Sequence, residues 1–247
     1  MSPAVLFVLA VFVLAVAAAR VEAAEVEVPV TANADVRNFE EADLNPLNAD
    51  TAAPGRKGIW QLVVRGPTLS ETQSFKAYFQ ADVHGLASPT RPLTGAKFLL
   101  AGIQRDEGAA AAPVSLVLYG ITDNDDAWME LDITWNNAPK NDTGAGMTDG
   151  VKPEGTVRLA EVQFNAIGER ELFEFEGEEL TKYLNWKAGA LPDAYGTGPA
   201  QNAEATFILV ASPKSGTLRF YSRQHKAKDP AETPLLVPRL VVQQPAP

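Results

Sequence analysis

SFKAYFQADV, residues 74–83, alternates with a period of two. Phe75, Ala77, Phe79, Ala81 and Val83 fall on one side of an extended chain, and Lys76, Tyr78, Gln80 and Asp82 on the other, because successive side chains of a strand point to opposite faces. The pattern predicts a strand with one face in a core and the other toward water. The alternation recurs at Val26-Val28-Val30, Ile59-Trp60-Gln61-Leu62-Val63-Val64, Val114-Leu116-Leu118, Leu131-Ile133-Trp135, Thr206-Ile208-Val210 and Leu218-Phe220. With residues 97–103, 157–164, 172–175 and 239–242, this makes roughly ten strands. One segment differs: in residues 178–186, Leu180, Tyr183 and Leu184 sit at i, i+3 and i+4, which fits a short amphipathic helix. Glu178 and Glu179 suit its positive end, and Gly189 would stop it. Many short strands, one short helix and turns rich in Gly, Pro, Asn and Asp predict an all-β fold, an antiparallel β-sandwich with jelly-roll-like topology.

The chain has 247 residues, 46% of them hydrophobic, enough to bury a full core. Residues 1–24 carry an apolar run over 5–19 and then small residues, the pattern of a cleaved secretory signal peptide. No Lys or Arg precedes that run, so an uncleaved anchor is the alternative. The expected organisation is a signal over 1–24, a single β-sandwich domain over 25–243 and a disordered tail over 244–247. Secretion to the extracellular space follows, with the periplasm or cell surface as variants. No membrane contact is expected once the signal is gone. Cysteine is absent, which removes disulfides, thiolate metal sites and cysteine nucleophiles.

A net charge of −10 argues against nucleic acid as a partner, since phosphate neutralisation needs clustered Lys and Arg. The charge is uneven. Residues 51–100 hold Arg56, Lys57, Arg65, Lys76, Arg91 and Lys97 against Glu71 and Asp82 only, which reads as a solvated face or a footprint for an anionic ligand. Residues 38–56, 136–154 and 188–204 form three long loops, a length that goes with function or mobility.

Little catalytic chemistry is legible. His84 and His225 are the only imidazoles, and no nucleophile elbow, HExxH helix or phosphate loop occurs. Tyr221, Arg223 and His225 alternate, and on one strand face they would resemble the trio of a polysaccharide lyase: a cation to neutralise a uronate carboxylate, with Tyr or His to move protons. A strand's solvent face explains the same spacing. Asp35 and the Asp123-Asn124-Asp125-Asp126 run offer oxygen ligands, and calcium is the cation they would suit. Exposed indoles can stack on sugars, but most of these are expected to be packing: Trp60 and Trp135 pattern as core, and Trp128, among polar residues, is less determined.

ITWNNAP, residues 133–139, reads as a strand ending in a turn, because Asn tolerates left-handed backbone and Pro ends a strand. Together with Ala32-Asn33-Ala34-Asp35-Val36-Arg37, the 75–83 strand, Leu118-Tyr119-Gly120-Ile121-Thr122-Asp123, Trp128-Met129-Glu130, Phe220-Tyr221-Ser222-Arg223-Gln224 and Pro238-Arg239-Leu240-Val241-Val242, it resembles the DNRLRE-type modules of carbohydrate-binding module family 96. The resemblance spans about residues 26–242. It implies a non-catalytic sandwich that binds polysaccharide, acidic uronate polymers such as alginate included. It also implies a structural corner made of Trp128, Thr134, Trp135, Asn136, Asn137, Pro139 and Ser222. Arg37, Lys76 and Arg223 become ligand-binding candidates by match to the pattern, and Arg56, Lys57 and Arg65 join them on charge, since Arg and Lys can grip carboxylates. Two departures stand out: Gln224 replaces the usual Glu, and a long loop follows Arg37. Alternatives are a structural or adhesive surface module that contacts proteins, or a lyase; an enzyme or cell-surface component would then be the partner.

Overall fold

A computed structural model describes residues 23–38, 61–66, 74–105, 114–144, 150–164, 171–213, 215–225 and 231–245. Among them the strands are β1 (Ala24–Pro29), β2 (Ala32–Arg37), β3 (Gln61–Arg65), β4 (Phe75–Asp82), β5 (Gly95–Arg105), β6 (Val114–Ile121), β7 (Thr156–Phe164), β8 (Glu171–Glu176), β9 (Glu204–Ala211), β10 (Thr217–Tyr221) and β11 (Arg239–Gln244). Two helices, α1 (Glu178–Lys187) and α2 (Thr233–Leu236), complete the set.

Every strand pairing is antiparallel. One layer runs β2-β4-β9-β6-β7 and the other β1-β11-β5-β8, while β10 and β3 join them, β10 pairing with β5 and β3 meeting β4. The sheet thus curls onto itself as a jelly-roll-like β-sandwich. Its inner faces meet through aromatic rings: Phe98 of β5 lies 5.1 Å from Phe79 of β4 and 5.2 Å from Phe207 of β9. Phe79, Ala77, Ala81 and Val83 are all fully buried in this core, as alternation requires.

The other face of β4 departs from the expectation. Lys76, Tyr78 and Gln80 are 1%, 0% and 7% exposed, because a loop lies over what would have been the solvent side. Ile133, Trp135 and Ala138 pack there on Ala34, Val36, Tyr78, Val117, Ile208 and Val210 as a second hydrophobic cluster. The strand expected over 131–135 does not form. Residues 130–132 and 135–137 are turns, closed by Ile133 N–H donating to Met129 O (3.1 Å) and Ala138 N–H to Thr134 O (3.0 Å). The reason is Asn137, whose Oδ1 accepts Thr134 N–H (2.6 Å) and whose Nδ2 donates to Asp132 O (2.9 Å). A short amide side chain here replaces the ladder partner that a strand would need.

Helix α1 forms where its spacing predicts, with Leu180, Tyr183, Leu184 and Trp186 buried and Gly189 just beyond it at φ +81°. A second, four-residue helix, α2, was not foreseen; its Leu236 packs with Ala101 and Tyr221. The expected tail begins too early, since Gln244 belongs to β11, pairs with Ala24 and donates from Nε2 to Leu86 O (2.8 Å). Residues 1–22 and 246–247 lie outside the described residues, and with them nearly all of the expected signal. Among the described residues no helix is long and apolar enough to cross a membrane.

Candidate functional site

Lys76 was expected to meet ligand from a strand's open face, and burial overturns that. Its ammonium sits 4.5 Å above the Trp135 ring and donates to Asn141 Oδ1 and Gly150 O. Asn141 Nδ2 in turn donates to Trp135 O. Lys76 is thus the post on which the Trp135 corner is hung. Gly150 is required there, because its φ is +65° and a Cβ would come 2.6 Å from Lys76 Nζ. Tyr78 adds a second tie by donating its hydroxyl to Pro139 O (3.1 Å). Trp135 and Pro139 are buried, Thr134 is half-buried, and Asn136 and Asn137 face outward.

The two arginines from the pattern are engaged within the protein. Arg37 Nε donates to Asp35 Oδ2 (2.7 Å), and its guanidinium lies over the Phe75 ring. Arg223 bonds through Nε to Glu130 Oε1 (2.7 Å) and pairs with Oε2 as well. The same Glu130 oxygen accepts Asn33 N–H (2.9 Å), Asn33 Nδ2 (3.1 Å) and Gln224 Nε2 (2.8 Å). Partial burial raises the Glu130 pKa, but the bonds and charge of Arg223, with the Asn33 N–H and the Gln224 amide, outweigh it and hold the carboxyl below its usual range. Gln224 serves here as an amide donor to a carboxylate, which a Glu in its place would not do at neutral pH. Ser222 is fully buried at this junction. Arg65 is half-buried where β3 meets β4, paired with Phe75. Arg56 and Lys57 lie outside the described residues.

The alternating trio does not share a strand face. Strand β10 ends at Tyr221 and a turn follows, with His225 N–H donating to Ser222 O (3.0 Å). The Tyr221 and His225 rings meet at 4.2 Å, tilted by 53°, while Arg223 points to Glu130. The oxygen-ligand candidates each have another partner: Asp35 is fully buried on β2 beside Arg37, and Asp123 and Asp125 share the Lys140 ammonium. Burial lowers the Lys140 pKa, but those two carboxylates outweigh it and keep it raised. Among the described residues no three metal-ligating side chains gather.

The open feature at this corner is a groove of about 420 Å³ lined by Trp128, Met129, Asp132, Asn137 and Glu204, among others. Trp128 is half-buried; its inner edge meets Tyr78 at 6.1 Å and Nε1–H donates to Thr206 Oγ1 (3.3 Å). Met129 is 66% exposed. Asp132 and Glu204 are exposed carboxylates, and among the described residues no Lys or Arg lines the groove. Sequence reasoning pointed to Trp128 but missed Met129, Asp132 and Glu204. Their only signal was proximity to Trp128 in the chain for two of them, and none for Glu204, which β9 brings from 76 residues away. A larger cleft of about 580 Å³ runs between α1 and the β5–β11 edge. Its Lys97 is taken by Glu174 (2.8 Å) and Glu176 (3.2 Å), and among the described residues no aromatic ring lines it.

No family model matches the chain, and no curated protein matches it either.

Proposed function

We propose that this protein is a secreted, non-catalytic module that binds a polysaccharide in the Trp128 groove. The observation that carries the reading is that groove: an indole, half in and half out, set beside a flexible thioether and two exposed carboxylates, that of Glu204 steadied by Gln80 Nε2 (3.0 Å). Sugar rings present C–H faces that pack on an indole, and hydroxyls that donate to carboxylates. The motif likeness to DNRLRE-type modules supports the same class. The lining favours a neutral glycan over a uronate, since Asp132 and Glu204 would repel carboxylates and the arginines of the pattern already hold Asp35 and Glu130. Binding without turnover is supported by Arg223, the cation of the trio, being held by Glu130 while Tyr221 and His225 keep to each other.

A second reading, an adhesive module contacting proteins, is favoured by one observation. Met129, which lines the groove, and Leu131, two residues on, are 66% and 51% exposed, the sort of apolar surface that partners cover. Affinity electrophoresis in gels holding neutral β-glucan, xylan, alginate, pectate or no glycan separates the readings. Retardation by a neutral glycan that resists salt and disappears in Trp128→Ala is the expected result. Retardation by alginate or pectate that fades with salt would move the site to the arginines, because charge pairs in water are screened. Equal mobility in every gel would end the glycan reading in favour of the adhesive one.

A further inference from the structure

Beneath the groove lies a buried polar group that the binding surface does not use. Lys187 of α1 and Asp126 of the loop after β6 form an ion pair whose side chains are 0% and 1% exposed. Lys187 Nζ also donates to Asn202 Oδ1 (3.2 Å), and Asn202 Nδ2 donates to Asp126 Oδ1 (3.2 Å), which closes a triangle. Two bonds leave this triangle toward the groove. Asn202 Oδ1 accepts the backbone N–H of Glu204 (3.1 Å), the acidic wall. Asp126 O accepts the Thr206 hydroxyl (3.4 Å), and that same hydroxyl accepts the indole N–H of Trp128 (3.3 Å), the aromatic wall. Thr206 is itself held by Tyr183, whose hydroxyl donates to Thr206 O (2.9 Å) and accepts Thr206 N–H (3.1 Å).

Burying a charge pair brings little net stability, because desolvation offsets much of the attraction and an apolar pair of equal volume often does as well. What such a network supplies is geometry. We propose that Thr206 and the Asp126–Lys187–Asn202 triangle are positioning residues that set both walls of the groove before ligand arrives. This rests on the glycan reading for its purpose. An indole whose N–H is already bound to the protein presents a fixed plane for stacking, whereas a loosened one loses rotamer freedom on binding.

Thr206→Val removes the hydroxyl at nearly constant shape, and Thr206→Ser keeps it. The free protein is read first, through the Trp128 indole N–H resonance, identified by its disappearance in Trp128→Phe. Thr206→Val should move that resonance, speed its exchange with solvent and weaken retention on neutral β-glucan or xylan by about 3- to 10-fold. Thr206→Ser should restore all three. The proposal is overturned if Thr206→Val leaves the indole signal and exchange as in wild type, or if Ser does not restore what Val disturbs. Asn202→Ala, at an exposed position, provides a test that does not depend on Thr206 variants folding. It should speed exchange of the Glu204 amide and weaken retention about 2- to 3-fold, and an unchanged Glu204 amide likewise overturns the proposal. A wild-type protein retained by neither glycan would sink the glycan reading alone, since the indole and amide signals of the free protein still decide whether these residues position the walls.

Discussion

The two faces of β4 are buried by different means. On the inner face Phe79 meets Phe98 and Phe207 in the larger hydrophobic cluster, where its strand's side chains make ring and alkyl contacts alone. On the outer face Tyr78, Ile208 and Val210 are covered by the 122–144 loop, and that cover is tied down by polar groups: Lys76 to Asn141 and Gly150, Tyr78 to Pro139, Lys187 to Asp126. An apolar core is non-directional and tolerates any well-packed arrangement. A polar-tied cover has a single bonded geometry, because a buried donor or acceptor without its partner is costly. The layer that closes the sandwich is therefore apolar, and the layer that carries the Trp128 groove is hydrogen-bonded.

Substitutions on the two faces should differ in kind as well as size. Phe79→Ala, in the inner layer, should cost about 3–5 kcal/mol of unfolding free energy in urea titration and lower the protection of all strands together. Lys76→Met keeps the aliphatic stem but removes the donor for Asn141 and Gly150, and should cost about 1–3 kcal/mol. Its signature would be local: hydrogen exchange should quicken over the Trp135 corner while the β5 amides keep their protection. Quickened exchange in β5 to the same extent would mean that the two layers unfold as one, which breaks the contrast.

Glu130→Gln should cost about 1 kcal/mol at neutral pH, kept small because Arg223 is partly open to water. The sign of its pH dependence follows from the depressed carboxyl. Stability contributed by ionised Glu130 is fully present above the ordinary carboxylate range near ~4.3 and is lost as pH falls through it toward the lower folded value. Wild type and Glu130→Gln should therefore converge in melting temperature on acidification, and parallel curves from pH 7 to pH 3 would show that the carboxylate is not the tie. The smallest effect expected is Asn137→Ala, about 0.5–1 kcal/mol, since its amide bonds lie at an exposed turn. If that variant leaves the melting temperature unchanged but alters Trp128 emission, the turn sets groove shape and not stability.

Much of the fold was legible because alternation and helical spacing are local properties. SFKAYFQADV, residues 114–118 and 206–210 became strands, and Leu180-Tyr183-Leu184 became the buried stripe of α1. Leu131-Ile133-Trp135 shows the limit: the alternation is there, yet Asn137 folds the segment into turns. The candidate site was legible at Trp128, whose polar neighbours marked it as less than core, and at Asn137 of the 133–139 corner.

What the sequence by itself determined is the period-two pattern, hence an antiparallel sandwich whose inner faces must be apolar, and a negative charge that disfavours nucleic acid. What only the tertiary structure decided is which polar residues are surface at all. A Lys on a strand's polar face reads as solvated unless something covers it, and Lys76 is covered by a tryptophan 59 residues further along the chain. Asp126, Lys187 and Asn202 likewise share no local pattern. Their meeting depends on the path of the loops over the sheet, a long-range contact that side-chain periodicity does not encode.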